Sequence, residues 1–288
     1  MATAAVSIPA TTHMGAVHLT VGDLERSLRY YASTVGLDLL RRDGDHASLG
    51  AGDAELLGLV EVPGASPAGR HTGLFHFALR VPERVDLARW LAHAAREQVP
   101  LVGMSDHFVS EAIYLTDPDG HGIEIYHDRP REVWEGKVSS RMTTEPLDTG
   151  SLLGELDHPG TEPFAGLPAG TDMGHVHLQV ADIPDTVAFY RDLLGFDLMA
   201  ELFGSAAFLA AGGYHHHVGA NTWHSRGAPP ALEGSAALRY ATIVLPSADE
   251  RDLLAARIAD AGREPEPHAE GVLIRDPSAI ALLLAAAS

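Results

Sequence analysis

The sequence predicts an α+β protein assembled from four copies of one strand–helix–three-strand module, closed in pairs into two half-open barrels. Two observations carry this. The first is an internal duplication. Met14–Leu40, MGAVHLTVGDLERSLRYYASTVGLDLL, aligns without a gap on Met173–Met199, MGHVHLQVADIPDTVAFYRDLLGFDLM, at an offset of 159 residues with 11 of 27 positions identical. Asp117-Pro118 recurs as Asp276-Pro277 at the same offset. Self-similarity at a fixed period marks repeated supersecondary units rather than compositional bias. The second observation is that each half divides again into an opening strand, a helix and a run of short strands.

In module one, Ala16–Val21 alternates apolar and polar residues, the period of a strand. Asp23 is placed to cap a helix whose apolar face is Leu24, Leu28, Tyr31 and Val35, and Gly36 stops it. Short strands follow near Asp38–Arg42, Ala47–Leu49 and Leu56–Val62. Module two opens at Leu74–Val81. It continues through a helix near Val85–Gln98 and strands near Val102, Ala112–Leu115 and Gly122–Tyr126. Module three opens at His175 with a helix near Pro184–Leu194. Module four opens at Leu238 with a helix near Ala248–Ala261. The expected organisation is an N-terminal unit, 1–134, with modules 14–62 and 73–127, and a C-terminal unit, 171–288, with modules 172–223 and 237–285. Residues 135–170 between them are rich in Gly, Pro, Ser and Thr and read as a linker. Leu152, Leu153 and Leu156 have the spacing of a short helix within it.

Composition narrows the function. Hydrophobic residues make up 45% of the 288 and charged residues 20%, enough apolar chain for a real core. The formal net charge is −19, which argues against nucleic acid and against an anionic membrane surface. No apolar run approaches the ~20 residues of a membrane span. No secretory signal is visible at the N-terminus, so a soluble cytoplasmic protein is the expectation. Cysteine is absent and histidine numbers 17, so metal chemistry would rest on imidazole and carboxylate. No G-x-S-x-G elbow or phosphate-loop pattern is present.

The repeat itself locates the candidate ligands. With the opening strands in register, one position reads Ala16, His76, His175 and Tyr240 through modules one to four. In the closing strands, module two reads DPDGHGIEIY and places Glu124 four residues after Gly120, whereas module four reads DPSAIALLLA and has Leu283 there. Metal ligands are therefore available at His76, Glu124 and His175. Each alone would pass for an ordinary strand residue; three at one repeat-defined register form a set. Two imidazoles and one carboxylate on one face suit non-haem Fe(II), with open positions for a bidentate substrate and O₂. Mn(II) tolerates the same ligands. His18 and His177 lie two residues further along their strands and face the same way. They are candidates for a supporting shell, with His18 an alternative third ligand.

At these residues the chain resembles the vicinal oxygen chelate superfamily, and within it the type I extradiol ring-cleaving dioxygenases of the catechol 2,3-dioxygenase kind. The most specific stretch is HFVSEAIYLTDPDGHGIE, His107–Glu124. It matches a signature of His, an aliphatic-Tyr pair (Ile113-Tyr114), Asp-Pro-x-Gly (Asp117–Gly120) and the ligand Glu124. The resemblance implies the glyoxalase/bleomycin resistance/extradiol dioxygenase fold. It also implies an enzyme incorporating both atoms of O₂ into a small aromatic diol, an activity of aromatic degradation. It gives Tyr114 the role of holding a catechol oxygen and His107 a place beside it. The segment GGYHHHVGANTW, Gly212–Trp223, resembles the strand carrying the active-site base. His217 is the best match and His216 the reserve, with strand alternation expected to put His215, His217, Asn221 and Trp223 on one face. Phe75, Phe77, Phe108, Phe208 and Trp223 are candidates for lining the site.

One departure matters. In the family the last two modules carry all three ligands, but here module four has Tyr240 and Leu283. The expectation is that modules two and three pair, so that His175 completes the site across the duplication. The alternative pairs modules one and two around His18. A glyoxalase-like lyase or isomerase using Zn(II) or Ni(II), and a non-catalytic drug-binding relative, are the competing readings of function. A homo-oligomer is a fair expectation for such a fold.

Overall fold

A computed structural model of the chain describes residues 6–157, 162–202 and 204–287. Two curved sheets form its frame, one of eight strands and one of nine. Module one opens on the strand His13–Val21 and module four on Leu238–Leu245. These two strands run antiparallel at the centre of the eight-stranded sheet. Module two opens on Gly73–Arg80 and module three on Asp172–Gln179, which pair the same way at the centre of the nine-stranded sheet. Each sheet therefore takes one module from each half of the duplication. Modules two and three share a sheet, as the cross-repeat pairing requires. The alternative, modules one and two around His18, does not occur.

Within each module the opening strand pairs in parallel with the last strand, as Gly73–Arg80 does with Gly122–Asp128. Such a parallel pair needs a crossover, and the module helix supplies it. In module one that helix is Leu24–Tyr30, capped by the Asp23 carboxylate accepting from the Arg26 amide. It continues into a π-helical turn, Tyr31–Val35, that ends at Gly36 with φ +93°. Tyr31 and Val35 are fully buried. Helix Arg84–Arg96 of module two packs beside it through Trp90, whose Nε1 donates to the Val35 carbonyl at 3.1 Å.

The helices also brace the loops that aim the closing strands. Tyr31 donates to Asp117 at 2.8 Å and Arg26 reaches Asp119 at 2.6 Å, both across from module one to the Asp-Pro-Asp-Gly turn of module two. Asp117 in turn accepts from the amides of Asp119 and His121 at 2.9 and 2.8 Å. That turn fixes where the strand bearing Glu124 begins.

The segment read as a linker is more structured than its composition indicates. Asp148 caps the helix Thr149–Leu153, with Leu152 buried. Glu145–Pro146 adds a short strand to the edge strand Gly103–Asp106. That addition brings Met142, Thr143 and Thr144 into the lining of the cavity in the nine-stranded half-barrel.

Candidate metal centre and active site

The concave face of the nine-stranded sheet encloses a cavity of about 810 Å³. On its floor, donor atoms of His76, Glu124 and His175 lie within 4.8 Å of one another. His76 Nε2 is 2.9 Å and His175 Nε2 3.1 Å from the same oxygen, Oε2 of Glu124. All three side chains are buried. The strands explain the convergence. His76 stands opposite His177, His175 lies diagonally across from it opposite Ala78, and Glu124 pairs with Ala78 from the strand parallel to that of His76.

The electrostatics fit a divalent cation. Burial alone would raise the Glu124 carboxyl; the imidazoles of His175 and His76 reverse that and hold it well below the usual carboxylate range. Burial keeps His175 below its ordinary value and hence neutral. The donor set is one carboxylate and two imidazoles, groups that ligate a divalent cation. His76 Nε2, although buried and close to Glu124, has no hydrogen-bond partner. An orphaned donor atom aimed at two others is what an ion would satisfy.

Around this centre the structure sorts the other expected residues. Tyr114 and His107 line the cavity together. His107 Nδ1 is 2.7 Å from the Thr143 carbonyl and so carries the hydrogen, leaving Nε2 to accept from the Tyr114 hydroxyl at 2.7 Å. The Tyr114 hydroxyl borders the cavity, and burial followed by the Glu124 charge pushes its pKa well up. His177 also lines the cavity, with Nε2 buried and unpartnered; burial, then His76, holds its pKa well down.

The three consecutive histidines do not lie as expected. The regular strand is only Val218–Asn221, so His215, His216 and His217 fall in the irregular chain before it and strand alternation does not apply. His216 faces the cavity, its ring 4.1 Å from that of His175. His217 turns away: its Nδ1 accepts from the Ala211 amide at 3.1 Å. Of the two expected histidines, the reserve, His216, is the one that reaches the cavity. Corrections apply in module one and module four as well. His18 and Tyr240 belong to the other sheet, stacked on each other with ring centres 4.2 Å apart, and neither supports nor completes the site. Of the expected lining residues, Phe75, Phe208 and Trp223 are in place; Phe77 is fully buried in the core and Phe108 packs in a separate apolar cluster.

Sequence reasoning missed the network behind His216. Asp128 accepts from His215 Nε2 at 2.7 Å and from the Tyr214 hydroxyl at 2.8 Å. Despite burial, the His215 contact holds Asp128 below its ordinary value. With Asp128 ionised, the neutral ring of His215 donates through Nε2 and accepts at Nδ1. His216 Nδ1, 2.8 Å away, must then be the donor. The hydrogen on Nδ1 leaves His216 Nε2 as a bare acceptor. A signal was available, since Glu124, Tyr126 and Asp128 alternate along one face of their strand.

Comparison with known proteins agrees with this architecture. Residues 13–125 and 172–282 match the Glyoxalase/Bleomycin resistance protein/Dioxygenase superfamily, and the chain belongs to it. Within that superfamily it groups with the catechol-2,3-dioxygenase of Bacillus subtilis strain 168, with 43% identity over 277 residues, 94% of this chain and 96% of the relative. A solved Bacillus subtilis chain shares the fold with a TM-score of 0.67 at 15% identity, covering 95% of this chain and 85% of its own. Glyoxalase I of Zea mays does so at 0.59 and 17%, covering 95% and 92%.

Proposed function

We propose that the protein is an Fe(II)-dependent extradiol dioxygenase that opens a catechol ring beside its diol with O₂. The observation that carries this reading is the convergence of His76, Glu124 and His175 in a largely apolar cavity beside Tyr114 and His216. The 43% identity to a catechol-2,3-dioxygenase supports it.

Fe(II), when held by those three side chains, supplies the redox chemistry between the diol and O₂. The chain supplies the rest. The Tyr114 oxygen, its own hydrogen directed to His107, receives a hydrogen bond from a substrate hydroxyl and fixes the orientation of the ring. His216 Nε2 accepts the proton that a catechol hydroxyl loses on binding, and the imidazole can return it when the ring opens. The Asp128–His215 pair sets the tautomer that makes this possible. Phe75 and Phe208 exclude water from the reacting face. A glyoxalase-type reading would want a free carboxylate base. The lining offers one carboxylate besides Glu124, that of Asp119, and Arg26 ties it up at 2.6 Å.

The test is oxygen uptake after anaerobic loading with Fe(II), using catechol as substrate and following the ring-opened product by its absorbance. Stoichiometric uptake that disappears on Glu124→Ala supports the reading. Uptake by Zn(II)-loaded protein, or none with any diol on the Fe(II)-loaded protein, would overturn it. Mn(II) loading distinguishes a second redox-active metal from iron alone.

A further inference from the structure

We infer that the substrate is a catechol bearing a bulky uncharged apolar substituent, and that catechols with a carboxyl on the ring or one methylene from it are excluded. The inference rests on the dioxygenase reading and specifies what that site accepts.

Size is the first ground. A cavity of about 810 Å³ lies high in the range of roughly 300–1,000 Å³ that encloses drug-sized ligands. One six-membered ring with two hydroxyls leaves most of it empty.

Charge is the second. Among the described residues that line the cavity there is no Lys or Arg. Its two carboxylates are Glu124, facing the metal position, and Asp119, bound to Arg26. A carboxylate carried on the ring, with the diol occupying the metal position, would be buried with no Lys or Arg of the lining to pair it, a costly state for an ion. The Arg26 guanidinium is engaged by Asp119, and those of Arg70 and Arg226 line an adjoining hollow beyond Gln179. Gln179 lies four residues along the strand from His175, roughly 13 Å at the rise of a strand. A carboxyl directly on the ring does not span that distance.

The third ground is independent of the cavity's interior. Val102, Leu202 and Trp223 line the cavity and are 70%, 40% and 49% exposed. They come from three separate segments and form an apolar rim at its mouth. Exposed large apolar side chains gathered at one opening mark a surface that a ligand covers. An apolar substituent on the diol would meet this rim while the two oxygens sit at the floor.

The experiment measures kcat/KM of the Fe(II)-loaded enzyme for catechol, 3-phenylcatechol, 4-tert-butylcatechol and 3,4-dihydroxybenzoate. At least one of the two apolar-substituted diols should exceed catechol by about tenfold or more, the return expected when an apolar pocket is filled. 3,4-Dihydroxybenzoate should fall about a hundredfold or more below catechol, as expected when a charge is left unpaired. Val102→Arg, at an exposed rim position, should raise the ratio of 3,4-dihydroxybenzoate to catechol by about tenfold through one new ion pair. Catechol equalling both apolar diols, or 3,4-dihydroxybenzoate within tenfold of catechol, would overturn the inference. If no diol is cleaved, the dioxygenase reading falls, and the same ranking is measured by anaerobic calorimetry on Zn(II)-loaded protein. Tighter binding of 3-phenylcatechol than of 3,4-dihydroxybenzoate then supports the inference, and the reverse order overturns it.

Discussion

At the centre of one sheet, His177 stands opposite His76 across an antiparallel pair; at the centre of the other, His18 stands opposite Tyr240 in the same register. The frames correspond closely. In each, the histidine lies over a glycine of the parallel neighbour. A Cβ on Gly219 would come within 2.9 Å of His177, and one on Gly58 within 2.1 Å of His18. In each, a helix tyrosine reaches an aspartate of the next module, Tyr31 to Asp117 and Tyr190 to Asp276. The ligand positions differ: His76, Glu124 and His175 in one sheet, Tyr240, Leu283 and Ala16 in the other. The scaffold is thus separable from the chemistry. The pairings, turns and braces serve packing in both sheets, and three side chains decide which of the two has a candidate metal site.

Removing those three side chains is the severest way to break the comparison. His76→Ala, Glu124→Ala and His175→Ala should each abolish metal retention. Turnover should drop by at least about a thousandfold, since the metal supplies several kcal/mol of transition-state stabilisation. Metal content by mass spectrometry and oxygen uptake read the two effects separately. The converse sharpens it. Leu283 is 1% exposed, so Leu283→Glu alone should destabilise by about 3–5 kcal/mol, the penalty for an unpaired buried charge, measured by denaturant unfolding. Ala16→His with Tyr240→His and Leu283→Glu should recover part of that loss on adding Zn(II) or Mn(II), and should raise the metal content from one ion per chain to two.

A smaller effect separates neighbours within the active half. His216→Asn should lower kcat by about 10²–10⁴-fold, the range for a lost acid–base group. His217→Ala should leave kcat nearly unchanged and lower stability by about 1 kcal/mol through its lost hydrogen bond. Asp128→Asn should lower kcat by about 10–100-fold. The asparagine amide would donate to His215 Nε2, invert both tautomers and put a hydrogen on His216 Nε2. That variant should also shift the alkaline and acid limbs of the pH–rate profile, which a merely structural defect would not do.

The smallest expected effect is in the other sheet. Burial lowers the pKa of His18 to about 4, with His268 and Arg239 adding to the shift. A histidine whose folded pKa lies below its unfolded value of 6.5 contributes stability that is fully present above pH 6.5 and lost as pH falls through about 4. An NMR titration should place the His18 midpoint near 4. His18→Phe should flatten the acid limb of the stability curve without changing kcat, since the site lies in the other sheet.

The repeat, the convergence of the three candidate ligands and the pairing were legible because each depends on register, and register is a linear property. His76, Glu124 and His175 were legible as departures from what modules one and four carry at the same positions. The three histidines at 215–217 were not, because the chain leaves the sheet before Val218 and a two-residue period no longer says where a side chain points. The Asp128–His215–His216 relay was hidden for a related reason. It joins residues 87 apart through an irregular loop, and its meaning lies in which nitrogen bears a hydrogen. The segment 135–170 was underestimated because turn-rich composition does not exclude a short strand that pairs with an edge already present.

The central claim is that modules two and three, from opposite halves of the duplication, make one metal site that cleaves a catechol. It is tested most directly by oxygen uptake of the Fe(II)-loaded wild type and of His76→Ala, His175→Ala and His18→Ala. The account predicts one O₂ consumed per diol by the wild type and by His18→Ala, and none by the other two. Uptake that survives His175→Ala, or fails in His18→Ala, would contradict it.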